Sequence, residues 1–298
     1  MHKEFLEKRK KQERDHFNRN TKKNIESTIF SSLVVVEINL TELCNRKCVF
    51  CPRVDPKVFP NRNLHTDLNT SVKIANDLAE KNYDGRISFS GFGEPLLCKD
   101  FDEHIKIFRK KMPKVSLETN TNGDRLTPDR IKELFNVGIS NLYINMYDGP
   151  EQIEFFEDMI LKSGINKERL YLRPHWVGYH KDWGLFLNNR SGMVMSEDNE
   201  YLKPVEAVKS RRCFYPFYKM FIDFNGDVLF CSNDWGRTTV VGNVNDSSIY
   251  DIWTCEKLNK IRKILSKKDR SASPCNTCSI NGELHGSKSY KLFEQLDI

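Results

Sequence analysis

No apolar run in the 298-residue sequence approaches the ~20 residues a helix needs to cross a bilayer. The N-terminus is charged and has neither an apolar core nor a small-residue cleavage site. A secretory signal is therefore not expected, and a cytoplasmic location is. The cysteine count is odd, at nine, which argues against a disulfide framework in a reducing compartment. Thiols there serve as ligands, nucleophiles or small buried groups. Internal repeats and low-complexity segments are missing too. What remains, 39% hydrophobic and 30% charged residues, is the composition of a globular chain that can bury one large core, or a core plus a smaller module.

Charge is unevenly spread. Of the net +6, a surplus of five lies in residues 1–24, which hold nine Lys/Arg against four Asp/Glu. Such an arm reads either as a nucleic-acid or membrane contact or as a solvated terminal helix, and the interspersed acids favour the helix. No basic stripe with interleaved aromatics follows, so neither nucleic acid nor a membrane is an expected partner.

After the arm, short apolar strands alternate with helical patterns. Residues 34–40, 86–90, 115–119, 141–147 and 169–172 read as strands. Ile74, Ala75, Leu78 and Ala79 mark one helix face. Phe101, Ile105, Phe108 and Met112 mark another, with Asp100 as its expected cap. A third helix has Thr127 as N-cap, Pro128 at its first position and Gly138 past its end. This alternation predicts an α/β fold with a parallel sheet, closed or partly closed as a barrel. Ligand-binding groups in such sheets lie on loops after the strand C-termini. The stretch around Cys44, Cys48 and Cys51, then Gly91-Phe92-Gly93-Glu94-Pro95, then Thr119-Asn120-Thr121-Asn122-Gly123 follow the first three strands and should share one rim.

Three thiolates on one loop suit soft metals or iron–sulfur clusters, whereas a closed zinc site takes four ligands. A cubic cluster held by three cysteines keeps one iron without a protein ligand. The run Cys44-Asn45-Arg46-Lys47-Cys48-Val49-Phe50-Cys51 resembles the C-x3-C-x-Φ-C signature of the radical S-adenosylmethionine (SAM) superfamily. That resemblance implies a partial (β/α)6-type barrel and a 4Fe–4S cluster whose open iron binds SAM. It further implies reductive cleavage of SAM to a 5′-deoxyadenosyl radical that takes hydrogen from a substrate, and an external electron donor such as flavodoxin or ferredoxin. Gly91, Gly93 and Glu94 resemble the family's Gly-Gly-Glu motif for the methionine amino group, with Phe92 in place of a glycine. Thr119, Asn120 and Asn145 fall where relatives contact the ribose and carboxylate of SAM.

Four further cysteines lie C-terminally, Cys213 and Cys231 as C-x12-G-x4-C and Cys275 and Cys278 as C-x2-C. An Asn225-Gly226 two-residue hairpin turn would bring the first pair together, and a helix over 249–265 follows. Spacing alone leaves zinc and a fully ligated cluster open. The segment, with Gly242-Asn243 and Ile252-Trp253 as landmarks, resembles the SPASM and shorter "twitch" modules. That resemblance implies one auxiliary 4Fe–4S cluster, since no cysteine follows Cys278.

The expected organisation is a basic extension over 1–30, a barrel over 31–185, a linker or substrate loop over 186–212, a β-hairpin-plus-helix iron–sulfur module over 213–286 and a tail over 287–298. Cys98 reads as a buried small hydrophobe. Cys255 reads as a packed helix residue or, by resemblance to sugar epimerases, as a hydrogen donor to the substrate radical. The single auxiliary site most resembles enzymes that tailor aminocyclitols and aminosugars. Some of these oxidise a secondary alcohol, the auxiliary cluster accepting the remaining electron, while others invert a carbon. Arg173, His175, His180, Arg211 and Arg212 are candidate substrate or proton-handling groups. The alternatives are a peptide-modifying SPASM maturase, for which the N-terminal arm is short, and a non-enzymatic zinc or iron–sulfur protein.

Overall fold

A computed structural model describes residues 2–20, 29–175, 188–194 and 211–296. Eight strands form one sheet in the order β5-β4-β3-β2-β1-β6-β7-β8. The first five are β1 (Val35–Ile38), β2 (Arg86–Phe89), β3 (Ser116–Thr121), β4 (Asn141–Met146) and β5 (Leu170–Pro174). All pair in parallel with their sequence neighbours. The helices between them are α2 (Leu68–Glu80), α3 (Phe101–Lys111), α4 (Pro128–Val137) and α5 (Glu151–Ser163). This is the α/β parallel core the strand–helix alternation predicts.

The chain then crosses to the other side of β1. A short helix, α6 (Tyr215–Tyr218), leads into β6 (Lys219–Ile222), a sixth parallel strand paired with β1. The antiparallel strands β7 (Asp227–Leu229) and β8 (Val240–Asn243) extend the sheet. Barrel and C-terminal segment therefore share one hydrogen-bonded sheet.

Side chains alternate across the barrel strands. Val36, Ile38, Ile87, Phe89, Leu117, Leu142 and Ile144 are buried in the main apolar core. Glu37, Ser88, Glu118, Asn120, Arg173 and Lys219, at the intervening positions, line a cavity on the opposite, concave face. One face packs against helices and the other holds polar chemistry.

Local signals worked where they were dense. Thr127 accepts from Arg130 N, Pro128 opens α4 and Gly138 closes it at φ +123°. The expected stripe of α3 is buried, as is His104, although Asp100 makes no side-chain cap bond. Cys98 is buried in the core.

Three expectations need correction. The Asn225-Gly226 turn is longer than two residues: Asp223 and Asp227 still pair (Asp223 N to Asp227 O, 2.8 Å), leaving Phe224, Asn225 and Gly226 as the loop. Gly226 takes the left-handed φ of +88° that such a loop requires. The helix expected over 249–265 is two, α7 (Ile249–Thr254) and α8 (Glu256–Ser266), broken at Cys255. Residues expected as a tail form α9 (Ser287–Leu296), with Tyr290 and Phe293 buried against Phe217.

The basic arm forms α1 (His2–Asn20) and lies against the barrel rather than standing free in solvent. His16 is 2% exposed. It contacts Ser31 O at 2.6 Å and Asp84 at 3.1 Å.

The Phe89 ring meets Phe101 and Phe108 edge-on at 6.1 and 5.3 Å, with no exposed surface. Phe89→Ala is expected to lower unfolding free energy by about 3–5 kcal/mol, read by denaturant titration of the chain.

Candidate functional site

Loops after the strand C-termini converge on the three-cysteine loop. Arg46 forks across it, its Nε reaching Asp124 at 2.7 Å after β3 and its Nη1 reaching Asp148 at 2.7 Å after β4. Asn45 donates to Asp124 at 2.6 Å and accepts from Asn122 at 2.9 Å. Cys44 N is held by Asn61 Oδ1 at 2.9 Å, and Cys51 N by Cys48 O at 2.9 Å. The loop is thus fixed by charge-assisted and backbone bonds while its three thiols stay half-buried. Burial, and then the neighbouring Cys51 and Cys44, push the Cys48 thiol up to about 12. Three thiolates can share this space when a cationic group neutralises them, so the donor set fits an iron–sulfur cluster.

The turn after β2 packs directly on that loop. A Cβ at Gly93 would lie 2.0 Å from Thr41 O, so only glycine fits. Phe92 N and Gly93 N both donate to Asn39 Oδ1, at 3.0 and 3.1 Å. The Phe92 side chain, the departure from the Gly-Gly-Glu pattern, points into a second core with Phe59, Phe221 and Trp235. It ties the turn to the C-terminal segment. Glu94 is 3% exposed and accepts from Thr121 Oγ1 at 2.6 Å, Asn122 N at 2.8 Å and Leu96 N at 3.1 Å. Burial outweighs these bonds and raises its carboxyl to about 7.

Thr121 and Asn122 were not singled out by sequence. The expected pair was Thr119 and Asn120, but β3 runs two residues further than the apolar pattern suggests. Thr119 is fully buried, and its hydroxyl donates to Phe89 O at 2.8 Å. Asn120 faces the concave cavity, between Ser88 at 3.3 Å and Arg173 at 3.1 Å. The repeated Thr-Asn pair was the available signal. Asn145 meets His175 at 3.1 Å, and His175 stacks on Tyr147 at the same rim.

Below the rim lies a chamber of about 240 Å³ on the concave face, lined by alternating strand residues and by Arg9, Gln12 and Glu13 of α1. Most of its charges are paired. Glu118 lies 2.9 Å from Arg9 and 3.0 Å from Arg86; burial opposes its ionisation, but the two arginines hold its carboxyl below the ordinary range. Glu37 accepts from Lys219 at 2.6 Å and Ser90 at 2.8 Å. Arg173 belongs to this chamber. Arg211 is exposed and Arg212 sits over Tyr290, away from it. His180 lies outside the described residues.

Cys213, Cys231, Cys275 and Cys278 line one small cavity with Tyr215 and Phe230. Burial raises the Cys213 thiol to about 11 and, with Cys213 and Cys278 adding, the Cys275 thiol to about 12. Among the described residues, no three His, Cys, Asp or Glu side chains converge closely enough to grip a single ion. Four thiols around one cavity form a closed donor set of the kind that a fully ligated iron–sulfur cluster takes. Residues 188–194 pack on this site, Asn189 donating to Thr277 O at 2.6 Å.

Arg53 is 4% exposed and bridges the two loops, Nε to Phe92 O at 2.6 Å and Nη1 to Asn61 at 3.2 Å. Arg53→Met removes a buried positive charge beside Cys44 and Cys51. The expected result is a more negative midpoint potential for the cluster those thiols hold, largely recovered in Arg53→Lys, read by a redox titration followed by electron paramagnetic resonance.

Comparison with known proteins gives the same order of parts. The sequence profile of the radical SAM superfamily matches residues 38–170, and that of SPASM, an iron–sulfur cluster-binding domain, matches residues 213–279. The S-adenosyl-L-methionine-dependent 2-deoxy-scyllo-inosamine dehydrogenase of Niallia circulans is 30% identical over 253 residues, covering 84% of this chain and 95% of that protein. The crystal structure of BtrN in complex with AdoMet and 2-DOIA matches with a TM-score of 0.68 at 26% identity, covering 85% of this chain and 97% of that one. The native anSMEcpe with bound AdoMet, at 15% identity and a TM-score of 0.53 over 87% of this chain and 96% of its own, shares the fold. No described helix is long and apolar enough to cross a membrane. The cofactors are SAM and two iron–sulfur clusters, and the chain is an oxidoreductase that acts on a small molecule by way of a 5′-deoxyadenosyl radical. It belongs to the radical SAM superfamily.

Proposed function

We propose that this chain is a dehydrogenase that oxidises a secondary alcohol of a small hydroxylated ring, an aminocyclitol or aminosugar, to a ketone. Cys44, Cys48 and Cys51 hold the cluster with the open iron. Gly91, Gly93 and Glu94 receive the methionine amino group, with Thr121 and Asn122 aiming Glu94, and Asn145 lies beside the same site. Cys213, Cys231, Cys275 and Cys278 hold the auxiliary cluster. Bound together, the first cluster and SAM supply the radical that takes the carbinol hydrogen. Flavodoxin or ferredoxin is the proposed electron donor, and the cytoplasm the proposed location.

One observation carries the choice of dehydrogenation. Tyr215 lines both the chamber and the four-thiol cavity, so a single side chain separates substrate from a group able to accept an electron. An epimerase would instead need a hydrogen donor facing the substrate. Cys255 is engaged elsewhere, accepting from Leu258 N at 3.4 Å as the N-cap of α8 and contacting Val241 O at 3.6 Å. Chamber size supports a ring over a peptide: about 240 Å³ falls below the roughly 300–1,000 Å³ of drug-sized ligand sites. The Niallia circulans relative is a 2-deoxy-scyllo-inosamine dehydrogenase by name, which makes that aminocyclitol the first substrate to test. Within the chamber, Arg173, held by Asn120, is a fixed donor for a ring hydroxyl.

The chain reconstituted anaerobically should hold about eight irons, two cubes. With 2-deoxy-scyllo-inosamine deuterated at the carbinol carbon, deuterium is expected in 5′-deoxyadenosine together with ketone. Cys255→Ala is expected to turn over like the parent; loss of turnover with 5′-deoxyadenosine still forming would instead favour epimerisation.

Glu94 generates a pH expectation. An ammonium binds the carboxylate, and a carboxyl near 7 is increasingly protonated as pH falls below that value. SAM affinity should therefore be near its plateau at pH 8 and drop by up to about tenfold per unit below pH 7. Glu94→Gln should bind weakly with no such dependence, as measured by equilibrium dialysis.

A further inference from the structure

We propose that the N-terminal helix is the floor of the substrate chamber and that Glu13, on its inner face, is the carboxylate that receives the amino group of the substrate. This rests on the aminocyclitol or aminosugar reading above and names the contact that would select an amine over a hydroxyl.

Arg9, Gln12 and Glu13 are spaced three and four apart and so share one helical face, the face turned to the chamber. The helix is anchored along its length. Lys8 donates to Asn141 at 3.2 Å and sits 3.8 Å over the Tyr171 ring. Arg9 meets Glu118 at 2.9 Å and lies over Tyr143 at 4.6 Å. Towards the other end, Arg19 reaches Asp84 at 3.0 Å. These contacts tie α1 to β3, β4, β5 and the start of β2, closing the barrel opposite the cysteine loop.

Glu13 differs from the other chamber carboxylates. Glu118 is held by two arginines and Glu37 by a lysine and a serine. The backbone N–H groups of Gly286 and Lys288 at the start of α9, with the Lys288 and Arg86 charges, act on the Glu13 carboxylate, yet its Oε1 atom is buried and has no hydrogen-bond partner of its own. A buried acceptor without a donor costs about 1–3 kcal/mol, a cost that an ammonium in the chamber would remove. Burial raises the Glu13 carboxyl above its ordinary value, and a cation beside it would reverse that shift. A neutral hydroxyl would satisfy the acceptor but gain less, because a bond between two charged groups is roughly twice as strong.

The test uses the reconstituted holoenzyme with SAM and two probes, 2-deoxy-scyllo-inosamine and its analogue with a hydroxyl replacing the amine. Dissociation constants are measured for the parent, Glu13→Gln and Glu13→Asp. Glu13→Gln is expected to weaken the amine roughly 10- to 100-fold and to change the hydroxyl analogue little. Glu13→Asp, which keeps the charge, should recover part of the loss. In turnover, Glu13→Gln should raise KM more than it lowers kcat. Amide hydrogen exchange over residues 2–20 checks that the helix stays docked. Unchanged amine affinity in Glu13→Gln overturns the assignment, as does equal weakening of both probes. A parent enzyme that binds neither probe defeats the substrate reading, and this assignment with it. Tight parent binding with an indifferent Glu13→Gln defeats the assignment alone.

Discussion

One buried side-chain amide holds the catalytic rim together. Asn39, 1% exposed at the end of β1, accepts from Phe92 N and Gly93 N and donates to Asp223 Oδ1 at 2.7 Å. Three distant segments meet in it: the strand leading to the cysteine loop, the turn after β2 and the hairpin after β6. Asp223 in turn takes Arg237 at 2.5 Å, and Arg237 reaches back to Glu42, two residues before Cys44, at 2.5 Å. Glu42 and Asp223 are at most 2% exposed. Desolvating such charges is expensive, so the network adds little net stability; breaking one member would leave the rest unpaired, at several kcal/mol. Its consequence is geometric. It fixes one arrangement of cysteine loop, glycine turn and hairpin among the many that apolar packing would tolerate.

The concave face follows the same logic on a larger scale. A parallel sheet normally reads as continuous apolar strands because both faces are covered. Here the strands carry Glu37, Ser88, Glu118, Asn120, Arg173 and Lys219 inward, where an open chamber and the polar face of the single helix α1, not an apolar helix layer, meet them. Carboxylates and cations are close enough in number that most pair within the protein, so the chamber is polar without a strong field of one sign. That environment suits a neutral or singly charged polyhydroxylated ring, and it suits radical chemistry, because paired and fixed side chains offer few competing positions for a reactive intermediate.

How much was legible follows from the range over which each feature is encoded. The cysteine spacings, the caps of α4, the stripe of α3 and the order β1 to β5 are local, and they are present as read. The pairing of β6 with β1 joins residues more than 180 positions apart, and no local pattern marks it. The break at Cys255 was missed because a thiol is outside the usual set of capping groups, while the apolar spacing continues through it. Phe92 looked like a tolerated departure from a motif; its aromatic partners, Trp235 and Phe221 at 4.4 and 4.7 Å, come from the far end of the chain. The role of α1 was hidden by hydropathy itself. The helix docks through arginine and lysine laid over tyrosine rings and onto a buried glutamate, contacts that a hydrophobic scale records as surface.

These long-range contacts make the division into barrel and auxiliary module one of chemistry rather than of folding. Lys219 of β6 neutralises Glu37 of β1, Tyr215 walls both cavities, and Trp253 donates to Ser32 at 3.0 Å just before β1. The chamber has no complete wall without the C-terminal segment, and the four-thiol site has no fixed distance from the cysteine loop without the shared sheet. In the proposed dehydrogenation, electron transfer between substrate and an auxiliary acceptor would depend on that distance being held through every turnover. A continuous ladder of backbone hydrogen bonds holds it more rigidly than two packed domains could, because domain interfaces of ordinary size permit relative motion. The sixth strand is therefore as much a part of the redox design as the cysteines that flank it.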